Sequence, residues 1–105
     1  MNVVYSIEFK TDIIDVFEFG IETFGYEATD QYVQRILEIT EKLDSTFLMY
    51  PECRWLHTKN HTYRNIILES YLIIYRLTQE RIEVLRIIRS SRSISKIKDS
   101  RKIII

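Results

Sequence analysis

Three runs of residues in the C-terminal half decide the fold: HTYRNIILE at residues 61–69, YLIIYRLT at residues 71–78 and RIEVLRIIR at residues 81–89. Each run is rich in β-branched and aromatic side chains, which fit the pleated surface of a sheet. The breaks between the runs, at Glu69-Ser70 and Gln79-Glu80, leave room for short turns alone. The runs therefore predict three consecutive strands in an antiparallel meander. Because the middle run is almost entirely apolar, we expect it to lie inside the sheet with both faces covered.

The residues before the meander predict one more strand and two helices. Residues 3–9 alternate in polarity, which indicates a strand with one buried side. Thr11 or Asp12 can then cap a first helix by accepting its free backbone N–H groups, and Gly25 can end it. The apolar stripe predicted for this helix consists of Ile13, Ile14, Phe17, Ile21 and Phe24. A second helix is predicted over residues 27–43, and the short connection makes the two helices an antiparallel hairpin.

Placed in order, these elements give β-α-α-β-β-β, an α+β fold in which the N-terminal strand and the meander form one sheet. The helices cover one face, so we expect the other face to be less covered and available for binding. A chain of 105 residues fits one domain, which we assign to residues 1–93. Residues 94–105 form a basic C-terminal extension, for which a short helix, an edge strand and a loose tail all remain open. The isoleucines that close it are expected to pack on a neighbouring surface.

The composition is typical of a soluble globular protein, with 46% hydrophobic and 29% charged residues. Cys53 is the single cysteine, so no intramolecular disulfide can form and nothing indicates an oxidising compartment. The first residues lack the apolar core of a signal peptide. No apolar run reaches the ~18 residues that a membrane-spanning helix needs. We therefore expect a cytoplasmic protein without membrane contact.

The net charge of zero conceals a strong asymmetry along the chain. Residues 1–52 carry 11 acidic and 3 basic side chains, whereas residues 53–105 carry 4 acidic and 12 basic ones. Such separation indicates a polarised surface that can meet an anionic partner, although acidic helices could equally neutralise basic strands within one fold. The basic residues on and after the last strand are predicted to bind a target or partner: Arg86, Arg89, Arg92, Lys96 and Lys98.

Few residues are arranged for catalysis or for holding a cofactor. The chain contains no glycine-rich phosphate loop, and no serine or cysteine lies in a nucleophile motif. Cys53, His57 and His61 follow at intervals of four, which on a continuous helix would align three zinc ligands. Pro51 and the strand-like run that begins at His61 disfavour that helix, so we predict neither a metal site nor a cofactor. Arg76, within the middle run, is expected to form a buried ion pair.

The stretch SYLIIYRLTQERIEVLRIIRSSRS at residues 70–93 resembles the signature of the RelE/ParE superfamily of bacterial toxins. In that family, a central strand that begins with tyrosine is followed by a turn, by a strand of the I-x-V-L-R-I kind and by a closing basic pair. The upstream part agrees in order, with an N-terminal strand and a helical hairpin that contains EATDQYVQRILEITEKL. The resemblance implies the toxin component of a type II toxin–antitoxin system.

The family divides by target. RelE-like members are ribosome-dependent mRNA endonucleases that use basic side chains on the sheet, and Arg64, Arg92 and His61 would form that set here without a metal. These nucleases usually have an arginine directly after the tyrosine that opens the central strand, whereas this chain has Leu72. ParE-like members are held to poison DNA gyrase without chemistry of their own. The incomplete basic set and the sequence YLIIYR at residues 71–76 favour the ParE-like branch. This branch implies a binding protein that is not an enzyme, and the nuclease is the alternative.

Either branch implies a cognate antitoxin with a segment that folds on the toxin and offers apolar anchors and acidic side chains. The basic C-terminal half would suit such a segment. The other implied partner is DNA gyrase or, in the alternative, the ribosome with its mRNA. ParE-like toxins also tend to pair with themselves, so a homodimer or a two-by-two toxin–antitoxin assembly is expected. A third interpretation is a family member that keeps the fold and antitoxin binding but has lost its toxicity.

Overall fold

The computed structural model describes residues 1–91 and 94–105. Its elements are β1 (Asn2–Tyr5), α1 (Ile7–Phe24), α2 (Tyr26–Glu41), α3 (Leu43–Thr46), β2 (Tyr63–Leu68), β3 (Tyr71–Leu77), β4 (Arg81–Arg89), α4 (Ile94–Lys98) and a 3₁₀ turn (Asp99–Lys102). The predicted α+β class and the order β-α-α-β-β-β are confirmed, with the short helices α3 after α2 and α4 near the C-terminal end added. None of the helices in the described parts of the chain is long and apolar enough to cross a membrane.

The four strands form one sheet in the order β1-β4-β3-β2. β2, β3 and β4 pair antiparallel, so the predicted meander is confirmed, and β3 lies inside the sheet as its apolar sequence indicated. β1 pairs in parallel with the first half of β4, and its last residue, Tyr5, lies opposite Val84. β4 is therefore an internal strand over residues 81–84, where β1 pairs with it.

β4 contributes to two hydrophobic cores, one on each face of the sheet. On the helix side, Ile82, Val84 and Ile87 pack with apolar residues of α1, α2, β2 and β3. The core on the opposite side consists of Cys53, Leu56, Tyr63, Ile74, Leu85, Ile88, Ile97 and Ile103. The expectation of a less covered sheet face is therefore wrong. The connection before β2 and the C-terminal segment cover that face with single apolar residues, which no periodic pattern announces.

Arg76 and Glu83 fasten the C-terminal segment to the sheet. Arg76 Nε donates to Glu83 Oε1 at 2.7 Å, and both side chains are largely buried, which confirms the predicted buried ion pair. Arg76 Nη2 also donates to the carbonyl of Ile103 at 2.9 Å. Ile103 is buried whereas Ile104 is 90% exposed, so Ile103 is the closing isoleucine that joins the core.

Ser6 ends β1 and begins α1. Its Oγ accepts from the N–H of Phe9 at 2.9 Å, as an N-cap side chain does. The same oxygen donates to the carbonyl of Leu85 at 2.6 Å, which ties the start of α1 to β4. The predicted N-terminal strand is therefore present but ends at Tyr5 instead of Phe9, and the predicted cap at Thr11 or Asp12 is wrong. The alternation of polarity continues past Tyr5 although the chain has already become helical.

The buried face of α1 differs from the predicted stripe. The residues that α1 buries are Phe9, Asp12, Val16 and Gly20. Ile14 and Phe24, which were predicted to be core residues, are 56% and 69% exposed, while Ile13 and Phe17 are partly buried at the border. The stripe prediction is wrong for a physical reason. Two of the four buried positions hold a carboxylate and a glycine, which count as non-core in any hydrophobic pattern.

Asp12 enters the core because it is fully paired there. Its carboxylate accepts from Arg86 Nε at 2.7 Å, from Arg86 Nη2 at 2.8 Å and from the N–H of Ile87 at 3.0 Å. The hydrogen bond to Asp12 is the main reason that the pKa of Arg86 lies above its ordinary value. A bidentate pair of this kind offsets the cost of removing both charges from water. The pair fixes α1 on the second half of β4.

The two glycines permit the sharp turn and the close packing between α1 and α2. Gly25 joins the helices with φ at 87°, a conformation that side chains with a Cβ rarely adopt. Gly20 faces α2, and a Cβ added there would lie 2.6 Å from Cγ2 and 2.7 Å from Oγ1 of Thr29. The predicted helical hairpin is thus present, with its helices close at this point.

Asp12→Ala should lower the free energy of unfolding by about 3–5 kcal/mol, because the Arg86 guanidinium would remain buried without its carboxylate and the Ile87 N–H would lose its acceptor. Urea unfolding followed by circular dichroism measures this change. The double substitution Asp12→Leu/Arg86→Leu should recover a large part of it, since apolar residues often replace a whole buried pair at little cost. A loss below about 0.5 kcal/mol, the range of ordinary surface substitutions, would contradict the role given to the pair.

Gly20→Ala should destabilise the protein by about 1 kcal/mol, since overpacking costs about 1–3 kcal/mol and the better helix propensity of alanine returns about 0.8–1 kcal/mol. In a Thr29→Ala background the clash is absent, so the same substitution should be neutral or stabilising. Thermal unfolding of the parent, the two single variants and the double variant measures both effects. An equal loss in the two backgrounds would show that Thr29 is not the obstacle.

Candidate functional site

Arg89, at the end of β4, is held against aromatic side chains. Its guanidinium carbon lies 3.8 Å from the ring centroid of Phe19 and 5.9 Å from that of Tyr71. Phe19 belongs to α1, and Tyr71 opens β3 directly opposite Arg89 in the sheet. The negative face of an aromatic ring attracts a guanidinium in this position. The contact therefore orders a half-buried cation where α1 passes the end of the sheet.

Two clefts meet at Arg89. The first, of about 470 Å³, lies between α1 and the end of β4, and its charged lining residues are Asp12, Asp15, Arg89 and Lys96. The second, of about 540 Å³, lies between the helical hairpin and the start of β3, and its lining includes Gly20, Thr23, Phe24, Ala28 and Tyr32. Val16, Phe19, Tyr71 and Arg89 line both clefts. We call the continuous depression the α1 groove.

An exposed edge of the sheet borders the α1 groove. β1 ends at Tyr5, and beyond it the side chains of Ser6 and Asp12 bind the outer edge of β4 at Leu85 and Ile87. Within the described part of the chain, no strand pairs with this edge at the last two residues of β4. Backbone groups at such an edge can accept a strand from another molecule.

Tyr32 and Tyr71 form the wall at the apolar end of the groove. Their ring centroids are 6.2 Å apart, and the Tyr32 hydroxyl donates to the carbonyl of Leu68 at 3.2 Å. Burial, followed by the nearby carboxylate of Glu69, raises the pKa of Tyr32 to about 12. The phenol therefore keeps its proton and its hydrogen bond at neutral pH, so the wall is held in place before any partner arrives.

The structure brings two of the predicted binding residues, Arg89 and Lys96, to the groove. Arg86 points towards α1, where Asp12 already binds its guanidinium. Lys98 is exposed on α4. Arg92 lies outside the described residues. The binding roles given to this set from the sequence stay predictions.

The other residues of the nuclease alternative lie on β2 and on the connection before it. Arg64 Nη1 donates to the carbonyl of Tyr50 at 2.8 Å. His61 Nδ1 lies 3.2 Å from Glu52 Oε1, and His57 Nδ1 lies 2.8 Å from the same oxygen. The hydrogen bond with His57 is the main reason that the pKa of Glu52 is lowered to about 2. Arg64 and His61 thus bind other parts of the chain, and β2 is the edge strand farthest from β1.

Cys53 stands apart from the histidines with which its spacing suggested a zinc site. It is 1% exposed in the core on the face opposite the helices, where burial raises the pKa of its thiol. His57 and His61 are exposed and contact Glu52 instead. Among the residues that the structure describes, no group of three or more His, Cys, Asp or Glu side chains is arranged to hold a metal ion.

Sequence analysis did not identify the α1 side of the groove. Phe19 falls outside the apolar stripe that was predicted for α1, between Glu18 and Gly20. A single aromatic side chain among polar neighbours is ordinary on a protein surface, so no sequence signal marked the groove. Tyr71 was recognised as the start of a strand, but its contact with Arg89 depends on strand register.

Comparison with known proteins identifies a family. The sequence profile of the family described as "ParE toxin of type II toxin-antitoxin system, parDE" matches residues 3–94. Among solved structures, the chain is similar to one described as "Chromosomal ParDE TA system from P. aeruginosa", with a TM-score of 0.71 and 21% identity over 85% of this chain and 95% of that chain. At this identity the likeness shows a common fold. Comparison with curated proteins finds no match. Since the family profile spans most of the sequence, the chain belongs to the ParE toxin family of type II toxin–antitoxin systems, within the RelE/ParE superfamily.

Proposed function

We propose that this chain is a cytoplasmic toxin that arrests growth by binding and poisoning DNA gyrase, and that a cognate antitoxin neutralises it. The observation that carries the proposal is the family match over residues 3–94. Gyrase is the target that resemblance to the ParE-like branch implies. A homodimer or a two-by-two toxin–antitoxin assembly is the proposed form of the complex.

The geometry supports binding more than chemistry. Arg64 donates to the carbonyl of Tyr50 and His61 lies against Glu52, so both side chains already have partners within the chain, which supports binding over catalysis. Leu72 stands where RelE-like nucleases have an arginine, and it packs against the core on the face opposite the helices. Loss of one preorganised cationic donor typically reduces a catalytic rate by ~10²–10³. The mRNA endonuclease remains the alternative function.

The α1 groove is the proposed antitoxin site. Arg89 and Lys96 can pair with acidic side chains, while the part of the groove beside Gly20 and Ala28 accepts large apolar ones. A disordered antitoxin segment with both kinds of residue could fold into this groove and use the exposed edge of β4 for backbone hydrogen bonds. The stacking of Arg89 on Phe19 lowers the entropic cost of binding, because the cation is ordered beforehand.

Gyrase poisoning predicts a specific result in vitro. The purified chain should inhibit supercoiling by DNA gyrase and accumulate cleaved plasmid DNA, and its induced expression should stop DNA synthesis before protein synthesis. Agarose gels and pulse labelling measure these effects. Ribosome-dependent cuts in a reporter mRNA, mapped by primer extension, would instead establish the nuclease alternative. Normal growth with soluble folded protein would leave an inactive family member.

Arg89→Glu should weaken binding of the cognate antitoxin by at least about tenfold, because it replaces a half-buried cation that lines both clefts of the groove. Lys59→Glu is the matched control, since it makes the same charge change on an exposed residue before β2, away from the groove. Isothermal titration calorimetry measures both affinities, and circular dichroism checks the fold. Equal losses for the two variants would point to general electrostatic attraction and remove the groove from the proposal.

A further inference from the structure

The outer face of α1 carries a row of exposed isoleucines. Ile7, Ile14 and Ile21 recur every seven residues, so they lie on one side of the helix with a drift of about 20° per repeat. They are 78%, 56% and 38% exposed. The residues that α1 buries lie on the other side of the helix: Phe9, Asp12, Val16 and Gly20. The isoleucine row is therefore not needed for the core of this chain.

A row of carboxylates runs beside the isoleucines. Glu8, Asp15 and Glu22 each follow one isoleucine, and Glu18 extends the row. All four side chains are exposed, and none of them forms an ion pair within residues 1–91 and 94–105. The outer face thus combines an apolar row with an unpaired negative flank. Helix pairs use this pattern, with apolar contacts in the seam and charges at its border.

A second copy of this chain would match the isoleucine row but not the carboxylates. In an antiparallel pair centred on Ile14, the two carboxylate rows would lie on the same side of the interface. Asp15 would then face its own counterpart, and Glu8 would face Glu22 of the second copy. Like charges in such positions destabilise association. The charge pattern therefore disfavours the antiparallel pair, whereas a basic occupant matches both rows.

We propose that the outer face of α1 docks an amphipathic helix of another protein, with large apolar residues at heptad spacing and lysines or arginines along one flank. The apolar residues cover the isoleucine row, and the cations pair with the carboxylate row. The α1 groove lies beyond the carboxylate row, which borders it at Asp15, and presents Arg89 and Lys96, so it suits a partner of the opposite charge. The inference goes beyond the proposed function, since it requires neither gyrase binding nor the antitoxin.

A synthetic peptide tests this surface on the purified full chain. The probe is a fluorescent helix of about three heptads with leucine at the first and fourth positions and lysine at the flanking ones. Its control has the same composition in scrambled order. Fluorescence anisotropy should show that the patterned peptide binds at least about tenfold more tightly than the scrambled one, and that added salt weakens its binding.

Two sets of substitutions assign the binding to the two rows. Ile7→Ser/Ile14→Ser should weaken binding of the patterned peptide by about tenfold or more. Glu8→Gln/Glu18→Gln/Glu22→Gln should do the same and flatten the salt dependence. Because these side chains are exposed and do not line the α1 groove, the variants should keep the thermal stability of the parent. The carboxylate variant keeps the test decisive if the serine variant folds poorly.

The matched control removes exposed isoleucines elsewhere. Ile67 and Ile104 are 73% and 90% exposed, and Ile67→Ser/Ile104→Ser should bind the patterned peptide as the parent does. Equal binding of the scrambled peptide, or unchanged binding by both row variants, overturns the proposal. Sedimentation velocity supplies the other contrary outcome. A dimer of the chain alone that Ile14→Ser dissociates would assign the outer face to a second copy.

Discussion

The ion pair between Asp12 and Arg86 is the interaction on which the rest of the arrangement depends. β1 pairs with only the first half of β4, so α1 contacts the second half directly, without an intervening strand. Asp12 takes the place of that strand, because its carboxylate binds the Arg86 guanidinium and the backbone N–H of Ile87 together. This contact sets the position of α1 along β4. About two turns further along the helix, Phe19 therefore reaches Arg89, and the groove forms between them.

The sequence predicts the sheet better than the helix that covers it. The meander is encoded locally, because three runs of β-branched residues separated by short breaks admit few alternatives. Which side of α1 is buried depends on contacts with residues that are distant in the sequence. Asp12 is buried because of Arg86, and Gly20 because of Thr29, so the two positions that define the buried face are the ones that a hydrophobic pattern discards. Ser6 is similar, since its cap and its bond to Leu85 are hidden in an alternating stretch.

The candidate site shows the same limit. Charge counting correctly located cations at the end of the last strand, but it could not separate their uses. Arg86 and Arg89 lie on the same strand, yet one is bound by a carboxylate of α1 and the other rests on an aromatic ring of the same helix. Arg64 holds a backbone carbonyl. Whether each arginine is bound within the chain depends on the neighbour that tertiary packing places beside it. The sequence therefore predicts where cations are numerous, but not which of them are free to contact a partner.

The position of α1 also gives a chain without net charge two sides of different potential, which the proposed binding roles require. One side of the helix meets the groove, where Arg89 is ordered and Lys96 is exposed, and another side presents Glu8, Glu18 and Glu22, which form no ion pair within the described residues. Opposite potentials on two sides of one helix do not cancel for a molecule that contacts one side, since the fields of exposed groups are screened over about 8 Å at physiological salt. An acidic segment is therefore attracted to the groove and repelled by the outer face, and a basic segment behaves in the opposite way. Two partners of opposite charge could then occupy α1 together without competing for the same surface.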